Sequence, residues 1–204
     1  MIRVASVNIG SAKAIPAKSG RSGIFKTPQS GPVKVTAQGL EGDVIVDRAH
    51  HGGPAQAVYA YTLSDAFWWM EDLGRDIPPG LFGENLTLDG IASSDFALGD
   101  RLVIGDVVLS VTAPRIPCIT LESRLGLPGF AARFRQATRS GPYFRVLEDG
   151  EIRAGQTAEL RAFDGPRIAI DRLVQPGWAT RLTGAEREVL PKTDPHPGLL
   201  EVLG

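Results

Sequence analysis

The chain is poor in cysteine and has no long apolar run, and both features narrow what it can be. Cys118 is the only cysteine among 204 residues, so the chain forms neither an internal disulfide nor a zinc site built from several cysteines. Residues 1–20 lack an apolar stretch long enough for a signal peptide or a membrane span, and no such run occurs later. We therefore expect a cytoplasmic protein without a membrane partner, because a lone thiol stays reduced in the cytoplasm.

The usual catalytic signatures are also missing. The sequence contains no Gly-x-Ser-x-Gly nucleophile elbow, no phosphate-binding P-loop and no Gly-x-Gly-x-x-Gly dinucleotide fingerprint. The three histidines, His50, His51 and His196, do not have the spacing of a zinc set. These absences argue against a serine hydrolase, a nucleotide triphosphatase and an enzyme that binds a nicotinamide cofactor in the usual way.

The net charge is only −1, but the charges are unevenly distributed along the chain. Residues 1–40 contain six Lys or Arg and no acid, and residues 112–145 contain six Arg and one acid. Two such segments can line one cleft that attracts an anion, or they can simply be solvated faces, and the sequence leaves both open. Nucleic acid is not expected as a partner, because the basic excess does not extend over the whole domain and no binding motif is present.

Short strands dominate the predicted secondary structure. Closely spaced strands with many turns favour a barrel or a sandwich over a βαβ sheet. The predicted strands lie in "IRVASVNI", "PVKVTAQ", "QAVYAYT", "DRLVIGDVVLSVT" and "PYFRVLEDGEIRAGQTAELRA", the last two with turns at Gly105-Asp106 and Asp149-Gly150.

Helices are predicted to be few. Ser64 is expected to cap a helix over "DAFWWMEDLG", "PGFAARFRQAT" predicts a second, and short helices are expected between Arg167 and Leu190. The 43% of hydrophobic residues suffice for a substantial core. A change of composition after Arg161 predicts a β domain over residues 1–161 and a short, partly helical appendage over residues 162–204.

The position of Cys118 is unusual. It follows the apolar run "VVLSV" and the rigid loop "PRIPC", in which a proline stands on each side of Arg115 and Ile116. Such a loop fixes the sulfur in space, as a metal site requires, and the nearby cation Arg115 favours the thiolate. A lone cysteine is also often a small buried hydrophobic residue, so the residues alone support both interpretations.

Six motifs occur in a fixed order over roughly residues 1–160. They are "GIFKTPQSGPVKV", "GLEGD", "HHGGPAQAVYAY", "GLFGENLTLDG", "LGDRLVIGDVVLSVTAPRIPC" and "SGPYFRVLEDGEIRAG". Together they resemble the MOSC domain, the molybdenum cofactor sulfurase C-terminal domain, and most of all its stand-alone bacterial YiiM-type branch. This resemblance implies a mainly β (α+β) fold, a closed and mostly antiparallel β-barrel with a few peripheral helices and a short C-terminal appendage.

The resemblance also implies a molybdenum–pterin cofactor (Moco) and a set of site residues. Cys118 corresponds to the family's cysteine, which ligates the metal in cofactor-bound members and is here a catalytic candidate. His51 and Glu84 are further catalytic candidates, with Asp47 as a third proton donor, although His51 equally suits a turn and Glu84 a loop cap. The predicted cofactor-binding residues are Lys26, Asn85, Arg115, Ser140 and Arg145.

YiiM-type proteins are associated with reduction of N-hydroxylated bases such as hydroxylaminopurine. The resemblance therefore implies a small N-hydroxylated substrate and a separate electron-donating reductase, since one cysteine cannot hold an iron–sulfur cluster. Two alternatives stay open: a sulfur carrier with a persulfide on Cys118, and a carrier of Moco without catalysis. Pyridoxal phosphate is not expected, because full-length sulfurases bind it on a separate domain; a homodimer is left open.

Overall fold

The structure is a computed structural model that describes residues 1–16, 20–47 and 52–202. The strands are β1 (Ile2–Gly10), β2 (Lys13–Ala14), β3 (Arg21–Ser22), β4 (Lys26–Pro28), β5 (Val33–Thr36), β6 (Gly39–Leu40), β7 (Val58–Thr62), β8 (Leu86–Asp89), β9 (Arg101–Ile104), β10 (Val107–Pro114), β11 (Pro142–Glu148), β12 (Gly150–Ile152) and β13 (Thr157–Arg161). The helices are α1 (Leu63–Leu73), α2 (Ile119–Leu125), α3 (Phe130–Ala137), α4 (Ile170–Leu173), α5 (Gly184–Val189) and α6 (Pro197–Glu201).

Within the described residues, seven strands close into a barrel in the order β13-β9-β10-β11-β7-β8-β1. The barrel closes because β1 pairs with β13, Ile2 opposite Ala158 and Arg3 opposite Thr157. Neighbouring strands are antiparallel except β7 and β8, which are parallel. The small sheet β12-β5-β6, the hairpin β2–β3 and the edge strand β4 complete the β structure. The predicted closed, mostly antiparallel β-barrel is confirmed.

Alternating side chains fill the barrel with aliphatic residues. In β5, Val33 and Val35 are buried while Lys34 between them is exposed, as expected for a half-buried strand. β10 lies centrally between β9 and β11, and seven of its eight residues are buried. Its long apolar run therefore reflects a strand with both faces covered rather than a helix.

A second, aromatic core lies outside the barrel, between β7 and the helices α1 and α3. It contains Tyr59, Tyr61, Trp69, Phe82, Phe130 and Phe134. The rings of Trp69 and Phe134 stack with their centroids 5.6 Å apart, and the edge of Phe82 meets the face of Tyr61 at 4.8 Å. These offset and edge-to-face geometries are the favoured ones for aromatic pairs, so this cluster fixes the helices against one side of the barrel.

Two local predictions were wrong. The N-cap of α1 is Thr62 and not Ser64, because the Thr62 hydroxyl accepts the Asp65 N–H (3.2 Å) while that of Ser64 donates to the Ile91 carbonyl (3.1 Å). The turn at Asp149-Gly150 does not join paired strands: β11 pairs with β10 and β7, and β12 pairs with β5. A single residue, Asp149, separates β11 in the barrel from β12 in the small sheet.

The chain after β13 forms short helices that pack against the barrel core. Ile168, Ile170, Leu173 and Leu190 of this segment are buried in the same core as the barrel strands. The division into domains 1–161 and 162–204 stays a prediction. In the described ranges, no helix is both long and apolar enough to cross a membrane.

Two glycines with left-handed backbones test how closely the barrel packs. Gly141 (φ 71°) lies against β7, and a Cβ there would be 2.2 Å from the Ala60 carbonyl oxygen, whereas a Cβ at Gly74 (φ 62°) would meet nothing within 4 Å. We predict that Gly74→Ala lowers the free energy of unfolding by about 1–2 kcal/mol, the cost of the left-handed backbone. Gly141→Ala should cost roughly 1–3 kcal/mol more, because the strand must move.

Urea unfolding of both variants at one pH measures these losses. Equal losses at the two positions would show that Gly141 and β7 are not packed as described.

Candidate functional site

A cleft opens where β10 ends and α2 begins, with about 760 Å³ of empty space including its open mouth. Its wall is built from residues that belong to segments distant in sequence, with some but not all residues of 21–26, 82–85 and 115–120, all of 43–47, and Gly52, Gln56, Tyr59 and Tyr143. Four predicted site residues line it together, namely Lys26, Asn85, Arg115 and Cys118. The cleft therefore joins the two basic segments that the sequence analysis singled out.

Cys118 lies at the junction between the strand β10 and the helix α2. β10 ends at Pro114, and Cys118 is the residue immediately before α2, with an extended backbone (φ −132°, ψ 171°). A residue before a proline is restricted to extended conformations, so the two prolines of "PRIPC" keep this connection straight and short. The half-buried Cys118 thus lines the cleft from a rigid position.

Arg115 is the buried cation of the cleft. Its guanidinium lies over the rings of Tyr59 (5.6 Å) and Phe134 (5.5 Å), and only 5% of the residue is exposed. Burial acts to lower the pKa of this guanidinium, but Tyr59, Tyr143 and Cys118 nearby raise it above its ordinary value. Its Nη1 is buried and has no hydrogen-bond partner in the described part of the chain. Arg115 shares a side-chain hydrogen bond with Tyr143. The remaining buried N–H can donate to an anion that enters the cleft.

Lys26 is part of a network centred on Asp43. The buried Lys26 ammonium pairs with Asp43 Oδ2, and Asn85 Nδ2 donates to the same oxygen (2.9 Å). The other oxygen, Oδ1, accepts the Gly10 N–H (2.7 Å). Burial lowers the pKa of Lys26, and Asp43 opposes this shift. The charge of Lys26 is therefore balanced within the chain, which leaves Arg115 as the buried cation without a carboxylate partner among the described ion pairs.

Asn85 has its polar atoms engaged by the protein. Besides the bond to Asp43, its Nδ2 donates to the Asn8 carbonyl (3.4 Å), and its Oδ1 accepts the Tyr59 N–H (3.2 Å). Asn85 thus ties β1 and β7 to the wall of the cleft. Sequence reasoning missed Asp43 and Tyr59, although Asp43 ends the motif "GLEGD" and Tyr59 lies in "HHGGPAQAVYAY". In the sequence, Tyr59 indicates only a strand, because its contact with Arg115 depends on tertiary packing.

Glu84 is buried behind the cleft and is not part of its lining, although its neighbours Gly83 and Asn85 are. Its Oε1 accepts the Gly80 N–H (2.6 Å) and the Thr87 hydroxyl (3.1 Å), while its Oε2 has no partner in the described structure. Burial raises the pKa of Glu84 to about 7, against the opposing effect of the Gly80 N–H. Its hydrogen bonds hold the 80–87 segment, and its catalytic role stays a prediction.

The remaining predicted residues lie elsewhere or outside the described chain. Ser140 is buried, and its carbonyl accepts the Tyr59 hydroxyl (2.8 Å), but it does not line the cleft. Arg145 is also absent from the lining, and its Nε pairs with Asp194 (2.8 Å) in the C-terminal segment. His51 lies outside the described residues, and Asp47 lines the cleft.

Within residues 1–16, 20–47 and 52–202, no cluster of three His, Cys, Asp or Glu side chains suits a metal ion.

Comparison with known proteins identifies related sequences and folds. The family model described as "MOSC domain" matches residues 47–159. The uncharacterized protein YflK of Bacillus subtilis (strain 168) is 32% identical over 188 residues, which cover 90% of this chain and 85% of YflK. A protein named "Reductase" from Gibberella moniliformis (strain M3125 / FGSC 7600) is 32% identical over 184 residues, covering 85% of this chain but only 32% of that protein. The crystal structure of YiiM from Geobacillus stearothermophilus superposes with a TM-score of 0.72 at 29% identity, over 95% of this chain and 100% of YiiM.

The buried carboxyl of Glu84 predicts a specific dependence of stability on pH. Its pKa rises from 4.5 to about 7 on folding, so the folded protein holds this proton more tightly than the unfolded chain does. The contribution of Glu84 to stability is therefore fully present below about pH 4.5 and is lost as the pH rises to about 7, a loss of about 3 kcal/mol for a shift of this size.

Glu84→Gln keeps the shape and an acceptor for the Gly80 N–H but cannot ionise. We predict that urea unfolding between pH 5 and pH 8 shows a growing stability advantage of this variant over the unmodified protein. Glu159→Gln is the matched control, because the pKa of the exposed Glu159 is lowered by its hydrogen bond from Arg161 and lies below this window. Parallel pH profiles for Glu84→Gln and the unmodified protein would contradict the assignment.

Proposed function

The chain belongs to the MOSC domain family, as its motifs predicted, and we propose that its cleft binds a molybdenum–pterin cofactor and reduces N-hydroxylated compounds. MOSC domains are generally associated with this cofactor. The observation that carries the proposal is the convergence of Cys118 and the buried Arg115 on one cleft. A soft sulfur ligand and an uncompensated cationic donor are the two features that an anionic, sulfur-ligated molybdenum cofactor requires.

The residues of the cleft fit this cofactor in different ways. Cys118 would supply a thiolate to the metal, and Arg115 would donate its unpartnered N–H to an anionic group such as a phosphate. Lys26 and Asn85 are already bonded to Asp43, so their role in the proposal is to shape the wall and to present a polar surface. Tyr59 and Tyr143, with ring centroids 5.2 Å apart, form the apolar side of the cleft.

The proposed reaction converts a hydroxylamine to an amine and water, R–NHOH + 2e⁻ + 2H⁺ → R–NH₂ + H₂O. The N–O bond breaks, and the oxygen leaves as water after taking up protons. The bound cofactor supplies the two electrons. We propose Asp47 as the proton donor of the chain itself, because it lines the cleft whereas Glu84 lies behind the lining. A carboxyl or a water held by it can deliver protons to the departing oxygen.

In this proposal, the electrons that pass to the substrate through the cofactor come from another protein. The chain has no dinucleotide fingerprint and one cysteine, so it is not built to hold a nicotinamide or an iron–sulfur cluster of its own. The relative named "Reductase" is about three times as long as the segment it shares with this chain, so most of that protein lies outside the shared segment. We therefore propose a separate reductase as the electron donor.

Loss of the thiol tests the cofactor assignment. The protein and its Cys118→Ser variant are purified from a host that makes Moco, and molybdenum per protein is measured by elemental analysis. We predict that the variant folds but loses molybdenum by more than the roughly tenfold that removal of an outer-shell partner costs. Ser123→Ala, a change on the same helix at a residue outside the cleft lining, is the control and should keep its molybdenum.

The reaction is tested on the same preparations. Reduced viologen dye supplies electrons, and the conversion of hydroxylaminopurine to adenine is followed. Turnover by the molybdenum-loaded protein and none by Cys118→Ser is the expected result. Molybdenum without turnover of this or any other N-hydroxylated amine or amidine would support a Moco carrier instead. Labile sulfur on Cys118 without molybdenum would support a persulfide carrier.

A further inference from the structure

We propose that the rim of the cleft formed by the β2–β3 hairpin and α2 is the docking surface for an acidic electron-carrier protein. This inference rests on the proposed function, because only a reductase needs such a partner. It adds the location of the surface and the charge of the partner. The hairpin and α2 border the cleft at Arg21 and Thr120, respectively.

The hairpin and the helix form one continuous surface. The ring of Phe25, which follows the hairpin, interacts with two cations, with Lys13 Nζ 5.8 Å and Arg124 Cζ 4.6 Å from its centroid. The hydroxyl of Ser123 on α2 donates to the carbonyl of Pro16 (2.9 Å). A partner that contacts α2 therefore also meets the basic hairpin.

Exposed apolar side chains flank Cys118 in sequence and also occur in the lining of the cleft. Ile116 and Ile119, two residues before and one after Cys118, are 48% and 60% exposed. Val44 and Val46 on the opposite wall are both 37% exposed and line the cleft. Large apolar side chains left in solvent around a functional opening are typical of an interaction site. The apolar centre and its charged margin match the general anatomy of a protein interface.

The charge of the rim selects the partner. Lys13 and Arg21 are exposed, and neither Lys13 nor Arg124 takes part in an ion pair within the described chain. The acid on α2, Glu122, accepts the Ala131 N–H (3.0 Å) and so is directed to α3. An excess of positive charge at the rim attracts an acidic surface and accelerates its association.

The geometry places the partner close to the proposed metal ligand. Arg124 lies six residues after Cys118, so the two are separated by about 9 Å along the axis of α2. A carrier seated on the hairpin and α2 therefore has its contact surface beside the cleft mouth, where electrons must enter. Weak redox encounters of this kind need only a small interface.

The experiment compares two electron donors on the cofactor-loaded protein. The double variant Lys13→Glu/Arg124→Glu reverses the charge of the rim at residues outside the cleft lining. The matched control, Arg101→Glu/Arg153→Glu, makes the same change of net charge at exposed residues that also lie outside the lining. The donors are reduced flavodoxin, a small acidic flavoprotein, and reduced methyl viologen. Binding of oxidised flavodoxin is measured separately by calorimetry at low and high salt.

We predict that the rim variant lowers kcat/KM with flavodoxin about tenfold at low salt, flattens its dependence on salt, and weakens flavodoxin binding in parallel. Turnover with viologen should stay unchanged, and the control should behave like the unmodified protein.

Ile119→Ser should weaken flavodoxin binding at both salt concentrations, because it removes apolar contact rather than charge. If Arg124→Glu lowers the melting temperature, Lys13→Glu alone, on the exposed hairpin, gives the deciding measurement.

The possible failures are distinguishable. Absence of turnover with viologen in the molybdenum-loaded, unmodified protein overturns the proposed function itself. Normal viologen turnover combined with equal flavodoxin kinetics in the rim variant and the control overturns the docking surface alone. A stable dimer in solution that buries Ile116 and Ile119, detected by light scattering and abolished by Ile119→Ser, also overturns it, since a second copy would then be the occupant.

Discussion

One carboxylate holds the cleft together. Asp43 accepts hydrogen bonds from Gly10 at the end of β1 and from Asn85 before β8, and it pairs with Lys26 at the start of β4. These three segments are far apart in sequence and meet only because the barrel brings them together. Without the carboxylate, a buried ammonium would lose its counter-charge, which typically costs roughly 3–5 kcal/mol. The electrostatics of the cleft follow from this pairing, because it neutralises Lys26 and leaves Arg115 as the buried cation available to an anion.

The cleft lies where the two cores of the protein meet. Along β7, Val58 and Ala60 face the aliphatic core of the barrel, and Tyr59 and Tyr61 face the aromatic cluster with α1 and α3. Arg115 rests on two rings of that cluster, so the same packing that attaches the helices also places the cation beside Cys118. A site at such a boundary combines a rigid apolar wall with polar groups from strand ends, as ligand sites commonly do.

Much of the barrel could be predicted from local sequence, and much of the site could not. The alternation in "PVKVT" and the turn at Gly105-Asp106 are local signals, and both correspond to strands found in the structure. The helix α2 was missed because it is short and begins with the β-branched Ile119 and Thr120, which favour strands. Its helical form depends on burial of Leu121 and Leu125, one turn apart on the same face.

Charge pairing over long sequence distances explains why the sequence did not reveal the different positions of the predicted basic site residues. Lys26 and Arg145 are both basic residues within the quoted motifs, but Lys26 is paired with Asp43 in the cleft and Arg145 with Asp194 in the C-terminal segment. Each partner lies 17 or more residues away, so no local pattern reveals it. In contrast, the prolines around Arg115 and Ile116 constrain the backbone locally, which is why the position of Cys118 at a rigid junction was predictable.

The central claim is that Cys118 and the cleft around it hold a molybdenum cofactor. X-ray absorption at the molybdenum edge tests it most directly, on protein reconstituted with cofactor and on the Cys118→Ser variant loaded with enough excess cofactor to offset its weaker binding. The account predicts one sulfur neighbour more around molybdenum in the unmodified protein than in the variant, with the other ligands of the cofactor unchanged. An identical set of metal neighbours in the two proteins would contradict it.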